Sequence, residues 1–167
     1  MSLDKNNLQY SKIAKLFHWG FVLLFIYGVV KQVDDINQLE DNIFFRFEII
    51  FAITFLLLLL IRFVYMKTTQ NTSIPEDTPK IQKIIAKIVH NGMYILLGGT
   101  VFSGLLIGFL YWLGIKYGFL IGVVITVHEL IINILYLFII THIIAAIYHR
   151  LKKDGVWSSM LPFFKEK

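Results

Sequence analysis

Residues 127–150 read VHELIINILYLFIITHIIAAIYHR, an apolar run interrupted by three histidines. A run of about 20 apolar residues is long enough to cross the hydrocarbon core of a bilayer as an α-helix. Ionisable side chains are costly at that depth and usually serve a function there. His128, His142 and His149 are therefore the first candidates for functional residues.

The rest of the chain has the composition of a membrane protein. Of its 167 residues 57% are hydrophobic, and the mean hydropathy is +0.69. Four apolar runs, at roughly 16–32, 43–66, 88–112 and 127–149, reach the length of a membrane span. They leave no length for a separate soluble domain. We therefore predict an all-α integral membrane protein in which residues 1–167 form a single four-helix transmembrane domain.

The segment between the last two spans is the hardest to interpret. Residues 113–126, LGIKYGFLIGVVIT, are apolar but too short for another span, and they contain three glycines. We predict an outer-side turn followed by an interfacial segment, with Trp112 and Tyr117 near the lipid headgroups. At the other end of the chain, Asn6 or Ser11 is the expected cap of the first helix.

Basic residues are distributed unevenly along the chain. If the spans alternate in direction, 13 of the 16 lysines and arginines fall on the side that holds both termini. The positive-inside rule then assigns both termini to the cytoplasm. The same charge suits contact with anionic membrane lipid and requires no nucleic acid partner. The chain has no cysteine, which excludes disulfides, iron–sulfur clusters and haem attached through C-x-x-C-H.

The spacing of the histidines suggests metal ligation. Fourteen helical residues advance about 21 Å and return to within about 40° of the same face. His128 and His142 therefore lie on one stripe near opposite membrane surfaces, and His149 continues that stripe. An imidazole in hydrocarbon needs a partner, and haem iron is one. We expect His18 to meet His142 at similar depth, and His90 to lie level with His149 at the cytoplasmic surface.

The residues alone leave alternatives open. Each histidine could be an interfacial polar residue, and together they could form the relay of a cofactor-free proton or metal transporter. Arg62 and Arg150 could bind haem propionates or extend to lipid phosphates. Glu129 could orient the adjacent His128, or simply lie at the interface near the start of its helix.

Several segments resemble the bacterial cytochrome b561 family of four-helix, b-type haem membrane proteins. YSKIAKLFHW (10–19) is similar to the family's opening segment, IRF (61–63) to the end of its second helix, and HNGMYILL (90–97) to the start of its third. The most specific similarity is HELIINILYLFIITHIIAAIYHRLKKDGVWSSMLP (128–162). The resemblance covers nearly the whole chain.

The resemblance implies a set of cofactors and ligands. It implies that His18 and His142 ligate a haem b on the cytoplasmic side and that His128 ligates a second haem on the outer side. It also implies that His90 and His149 line a quinone site at the cytoplasmic surface. The quinone would be ubiquinone or menaquinone, and we add Lys87 to the site because it lies close to His90 in the sequence.

The resemblance also implies a function and a location. Members of the family sit in the bacterial inner membrane and move electrons between quinone and a donor or acceptor. One branch oxidises superoxide to oxygen at the outer haem. We therefore expect a quinone-linked oxidoreductase or a pure electron-transfer protein. The alternative is a haem-b membrane anchor that relays electrons to a separate periplasmic redox partner, and a homodimer is left open.

One position departs from the family pattern. The family has a histidine early in the second span, fourteen residues before the arginine, and counting back from Arg62 gives Glu48. His128 therefore lacks a second imidazole. A carboxylate ligand is hard and anionic, so it favours ferric iron and lowers the potential. We predict one bis-histidine haem, and an outer position that is completed by Glu48 or solvent, or holds no haem.

Overall fold

The computed structural model describes residues 9–31, 33, 35–70, 74–75 and 78–161, and most of these residues are helical. Its four long helices are α1 (Lys12–Val30), α2 (Asn42–Thr69), α3 (Lys80–Trp112) and α4 (Phe119–Lys152). Each is long and apolar enough to cross a membrane. A 3₁₀ turn (Ile36–Glu40) precedes α2, and the short helix α5 (Val156–Met160) follows α4. The predicted four-helix membrane architecture is confirmed.

Successive helices run in opposite directions. The start of α1 meets the end of α2, because the hydroxyl of Ser11 lies 2.9 Å from that of Tyr65 and the Ser11 N–H donates to Gln70 Oε1 at 3.0 Å. Ser11 also caps α1 as predicted, accepting from the Ala14 N–H at 3.1 Å, whereas Asn6 lies outside the described residues. We call the end of the bundle that holds Ser11 and α5 the terminal end.

The opposite, distal end carries the α1–α2 and α3–α4 connections. Two side-chain contacts join these connections: Lys116 Nζ lies 3.4 Å from Glu40 Oε1, and the Tyr117 hydroxyl donates to Asn37 Oδ1 at 3.1 Å. The turn between α3 and α4 ends at Gly118, whose φ of 105° is a left-handed conformation that glycine adopts without strain.

The prediction of an interfacial segment after the turn that follows Trp112 is wrong. The turn ends at Gly118, and residues 119–126 form the first two turns of α4, continuous with the histidine-bearing run. An apolar segment in a membrane must satisfy its own backbone hydrogen bonds, which a continuous helix does and an irregular segment does not. The span boundaries change accordingly, since α4 begins eight residues earlier than expected.

The interior of the bundle is formed by apolar side chains at mid-height. Phe21, Phe55, Leu59 and Val101, from α1, α2 and α3, make one buried cluster. On α4, Leu135 is only 1% exposed. Leu135 lies seven residues from both His128 and His142, so the two histidines occupy the same interior stripe on either side of it.

Glycines on α3 allow close packing against α4. A Cβ on Gly92 would overlap the ring of Phe138, and one on Gly99 would contact Ile131 at 3.6 Å. A Cβ on Gly104 would meet His128 Cε1 at 3.4 Å. Small residues at such positions let membrane helices approach closely, and this approach fixes the register of α3 against α4.

Replacing Gly92 by alanine is therefore expected to destabilise the bundle, by about 1–3 kcal/mol, because the added methyl group forces the Phe138 ring to move. Gly122→Ala is the matched control, since a Cβ there meets no atom within 4 Å. That control should be neutral or stabilising by about 0.5–1 kcal/mol. Unfolding titrations in mixed micelles measure both, and equal stabilities of the two variants would contradict the packing described.

Candidate functional site

Four predicted residues converge near the terminal end of the bundle, three of them half-buried and His90 exposed. The ring centres of His18 and His142 are 6.3 Å apart, and those of His90 and His142 are 5.1 Å apart. Arg62 Nη2 lies 3.3 Å from His18 Nδ1. His142, on α4, is thus flanked by imidazoles from α1 and α3, with a guanidinium from α2 beside them.

His90 lies in a different place from the one expected. It was predicted to lie level with His149, but its ring contacts His142 instead, which is seven residues deeper along α4. The register of α3 is responsible, because Gly92 lies against Phe138. His90 lies two residues nearer the terminal end than Gly92, and His142 lies four residues nearer it than Phe138, so the two histidine rings meet. Lys87, three residues before His90 on α3, is exposed.

The hydrogen bonds of these rings define their tautomers. His90 Nδ1 lies 2.7 Å from the Ala86 carbonyl oxygen. A carbonyl only accepts, so His90 Nδ1 carries the hydrogen and Nε2 keeps its lone pair. His18 is the opposite case, because Arg62 only donates and its bond to Nδ1 leaves the hydrogen on Nε2. An imidazole that binds iron through Nε2 needs Nδ1–H as a donor. His18 therefore cannot bind iron through Nε2 while its Nδ1 accepts the hydrogen bond from Arg62.

The surroundings of the Arg62 guanidinium suit the binding of an anion. Its Nε is buried and has no hydrogen-bond partner among the described residues. Its guanidinium lies over the rings of Phe21 and Tyr94, at 5.7 and 5.3 Å from their centres. A guanidinium released from His18 would pair readily with a carboxylate such as a haem propionate. Tyr94, which flanks Arg62, was not identified from the sequence.

The cluster suits a haem iron. Two metal–nitrogen bonds of about 2 Å, with half an imidazole ring on either side, separate two ring centres by about 6 Å. The His18–His142 separation of 6.3 Å matches this value, and the His90–His142 separation of 5.1 Å is shorter. The donor set of two imidazoles beside a guanidinium whose Nε has no hydrogen-bond partner among the described residues therefore fits a bis-histidine haem that carries propionates.

His149 forms a separate pair at the terminal end of α4. Its Nδ1 lies 2.7 Å from Asp154 Oδ2. The next residue, Arg150, stacks on Trp157 of α5 with 4.8 Å between the guanidinium carbon and the ring centre. Arg150 is thus held by α5, which differs from the propionate contact considered from the sequence. Asp154 was not identified from the sequence, although it lies only five residues after His149.

At the distal end, His128 is anchored to α3. Its Nδ1 lies 2.8 Å from Ser103 Oγ, and the same hydroxyl donates to the Gly99 carbonyl at 2.7 Å. The hydroxyl has one hydrogen, so Ser103 accepts from His128 Nδ1–H and Nε2 keeps its lone pair. This is the tautomer that ligates iron. Ser103, rather than Glu129, therefore orients His128, and Glu129 is exposed.

Glu48 does not complete the distal site in the structure. It lies seven residues before Phe55 on α2, so it faces the bundle interior, and it is half-buried. Among the described residues it forms no ion pair, and the side-chain hydrogen bond of His128 goes to Ser103. Within the same part of the chain, no group of three or more histidine or acidic side chains is arranged to hold a free metal ion.

Comparison with known proteins gives one match. The family model of prokaryotic cytochrome b561 matches residues 9–163, nearly the whole chain. No curated protein and no solved structure matches the chain significantly.

Proposed function

This chain belongs to the prokaryotic cytochrome b561 family of membrane electron-transfer proteins that bind haem b. On that premise we propose that the protein transfers electrons between a quinone at the terminal end and a second donor or acceptor. The observation that carries the proposal is the cluster of His18, His142 and Arg62 in the bundle interior. It would supply two imidazole ligands and a cation to a haem that carries propionates.

In this proposal His18 and His142 hold the haem, whose iron supplies a one-electron couple when bound. Arg62 leaves His18 Nδ1 and neutralises a propionate. Released from Arg62, His18 takes the tautomer in which Nδ1–H is the donor. The aromatic and apolar groups around Arg62 keep water out, which strengthens the pairing of charges at this depth.

The quinone site is proposed to lie on the terminal side of this cluster. His149 offers a lone pair at Nε2, because its Nδ1–H is bonded to Asp154. His90 contacts the proposed ligand His142 and also has a free Nε2. Lys87 adds a cation on the same helix as His90. A quinol needs hydrogen-bond partners at its two oxygens and a group that accepts a proton, and His90 and His149 meet that need.

The quinone site predicts the behaviour of two variants. His149→Ala should slow quinol-driven haem reduction by about 10²-fold or more, the usual effect of losing a general base. His90→Ala should also slow it, with the haem spectrum retained in both. Stopped-flow reduction by a short-chain quinol measures the rate. Lys80→Ala, which removes an exposed charge at the same end, is the control. Wild-type rates in both histidine variants would refute the site.

Superoxide oxidation at the distal end is the second candidate. The observation in its favour is the bond from His128 to Ser103, which leaves His128 Nε2 available to iron. A haem held there by His128 alone would have an open or solvent-filled sixth position and would be high-spin. A membrane anchor that passes electrons to a periplasmic redox partner would also use this end.

We further propose that the terminal end faces the cytoplasm of a bacterial inner membrane, because 10 of the 13 lysines and arginines among the described residues lie in the half of the bundle that ends there. Since the chain has no cysteine, single cysteines report topology cleanly. Lys116→Cys should react with an impermeant thiol reagent added to intact cells, and Lys153→Cys should not. The reverse pattern would invert the orientation.

A further inference from the structure

We propose that Asp154 is a positioning residue that holds His149 in the tautomer and orientation needed to accept a proton from a quinol. The inference rests on the proposed quinone site and adds a residue to it. Asp154 acts through His149 and is not assigned a contact with the quinone.

The geometry of the pair supports this role. His149 Nδ1 and Asp154 Oδ2 are 2.7 Å apart, within the range of short, charge-assisted N–H···O⁻ bonds. Both side chains are largely shielded, with 16% and 11% of their surfaces exposed. A carboxylate only accepts, so Nδ1 must carry the hydrogen and Nε2 must carry the lone pair. The bond thus fixes which nitrogen of His149 serves as the acceptor.

The backbone fixes the carboxylate in turn. Asp154 lies in the tight turn between α4 and α5, and both of its neighbours are left-handed: Lys153 has φ 56° and Gly155 has φ 87°. Its second oxygen, Oδ1, accepts from the Val156 N–H at 3.3 Å. Asp154 therefore binds His149 with one oxygen and the first turn of α5 with the other.

Helix α5 is itself tied to the rest of the bundle. Trp19 of α1 donates from Nε1 to the Met160 carbonyl at 3.3 Å, and Ser159 is 1% exposed. Arg150 of α4 stacks on Trp157. The turn that carries Asp154 is thus held at both ends, so its carboxylate is preorganised rather than recruited when a ligand binds.

Among the described residues, Asp154 is the acidic side chain that pairs with His149. Lys152 Nζ lies 3.6 Å from Asp154 Oδ2, on the same helix as His149. The ring of Tyr148 lies 5.6 Å from that of His149, and Arg150 faces α5. A proton on Nε2 would create an imidazolium whose Nδ1–H faces the Asp154 carboxylate.

A quinol must lose protons when it is oxidised, and the His149–Asp154 pair is suited to accept one. Oxidation of a quinol releases two protons and two electrons. His149 Nε2 would accept the first proton, its N–H bond forming as the quinol O–H bond breaks, and the second proton would leave to water at the terminal end. The b-type haem that the family carries would take the two electrons one at a time, passing the first to the second acceptor before it takes the second. A base held in the wrong tautomer has no lone pair for this proton, as in a catalytic triad whose aspartate is replaced by asparagine.

The first test reads the tautomer directly and does not depend on activity. The ¹⁵N spectrum of histidine-labelled haem-bound protein in lipid, with the His149 signal assigned from the His149→Ala variant, should show the Nδ1–H tautomer. In Asp154→Asn and Asp154→Ala this signal should shift toward the other tautomer or a mixture. An unchanged His149 spectrum in both variants would overturn the proposal.

The second test separates positioning from binding. Asp154→Asn should lower kcat of quinol-driven haem reduction by about tenfold or more, with KM changed much less, because general-base effects act on the chemical step. The double variant Asp154→Asn/His149→Ala should be no slower than His149→Ala alone, since the two residues act as one unit. Lys152→Gln, which removes the other charged neighbour of Asp154, should stay near the wild-type rate.

The outcomes distinguish a failure of the proposed quinone site from a failure of the proposed role of Asp154. Wild-type kcat in both His149→Ala and His90→Ala would refute the quinone site itself, and wild-type kcat in His149→Ala alone would refute the role of the His149–Asp154 pair. A slow His149→Ala with a wild-type Asp154→Asn would leave the site standing and refute the role of Asp154. Asp154→Asn keeps the size of the side chain and an acceptor for the Val156 N–H, so it remains informative if Asp154→Ala fails to fold.

Discussion

Replacing His142 by alanine should abolish the low-spin ferric haem signal of the purified protein. The rings of both His18 and His90 contact His142, so its loss removes the imidazole that the two close histidine pairs share. His18→Ala should have the same effect, because the His18–His142 spacing is the one that suits an intervening iron. Low-temperature paramagnetic resonance at constant protein concentration measures both variants.

Two further variants sharpen this test. His128→Ala is the control and should keep the low-spin signal, since His128 is bonded to Ser103 at the other end of the bundle. If His18→Ala retained the signal and His18→Ala/His90→Ala lost it, the second ligand would be His90 and not His18. A normal bis-imidazole spectrum in His142→Ala would contradict the haem site altogether.

Replacing Glu48 by histidine should raise the haem content from one low-spin haem per chain to two. Glu48 precedes Arg62 by fourteen residues, as His128 precedes His142, and it faces the bundle interior. A histidine there restores the position that the family uses opposite His128, which already has the tautomer that ligates iron. A second imidazole would convert an open or absent site into a low-spin one.

Glu48→Gln is the matched control, because it removes the charge without supplying an imidazole. It should leave the number of low-spin haems unchanged. A Glu48→His protein with the same haem count and the same spectrum as wild type would show that the missing histidine is not what limits the distal site.

The sequence was sufficient for the features that depend on local pattern. The apolar runs predicted four spans, Ser11 was one of two candidate caps of α1, and the fourteen-residue spacing placed His128 and His142 on one stripe. The proximity of His18 and His142 followed from matching their depths along two antiparallel helices. These features need only helix geometry and the thickness of a bilayer.

Other features depend on tertiary packing and could not be read from the sequence. His90 meets His142 because Gly92 lies against Phe138, and neither residue signals that contact by itself. The partner of His128 is Ser103, 25 positions earlier in the chain, and the adjacent Glu129 is exposed. Asp154 meets His149 only because Lys153 and Gly155 adopt left-handed conformations at the end of α4. A lysine at the end of a helix gives little indication that the backbone adopts a left-handed conformation there.

The most direct test of the central claim is a spin count on the unmodified protein. The integrated low-spin ferric signal, divided by the protein concentration, gives the number of bis-imidazole haems per chain. The structure has one interior pair of histidines with the required spacing at the terminal end and a lone histidine at the distal end, so we predict one. A protein with no low-spin haem, or with two, would contradict this account.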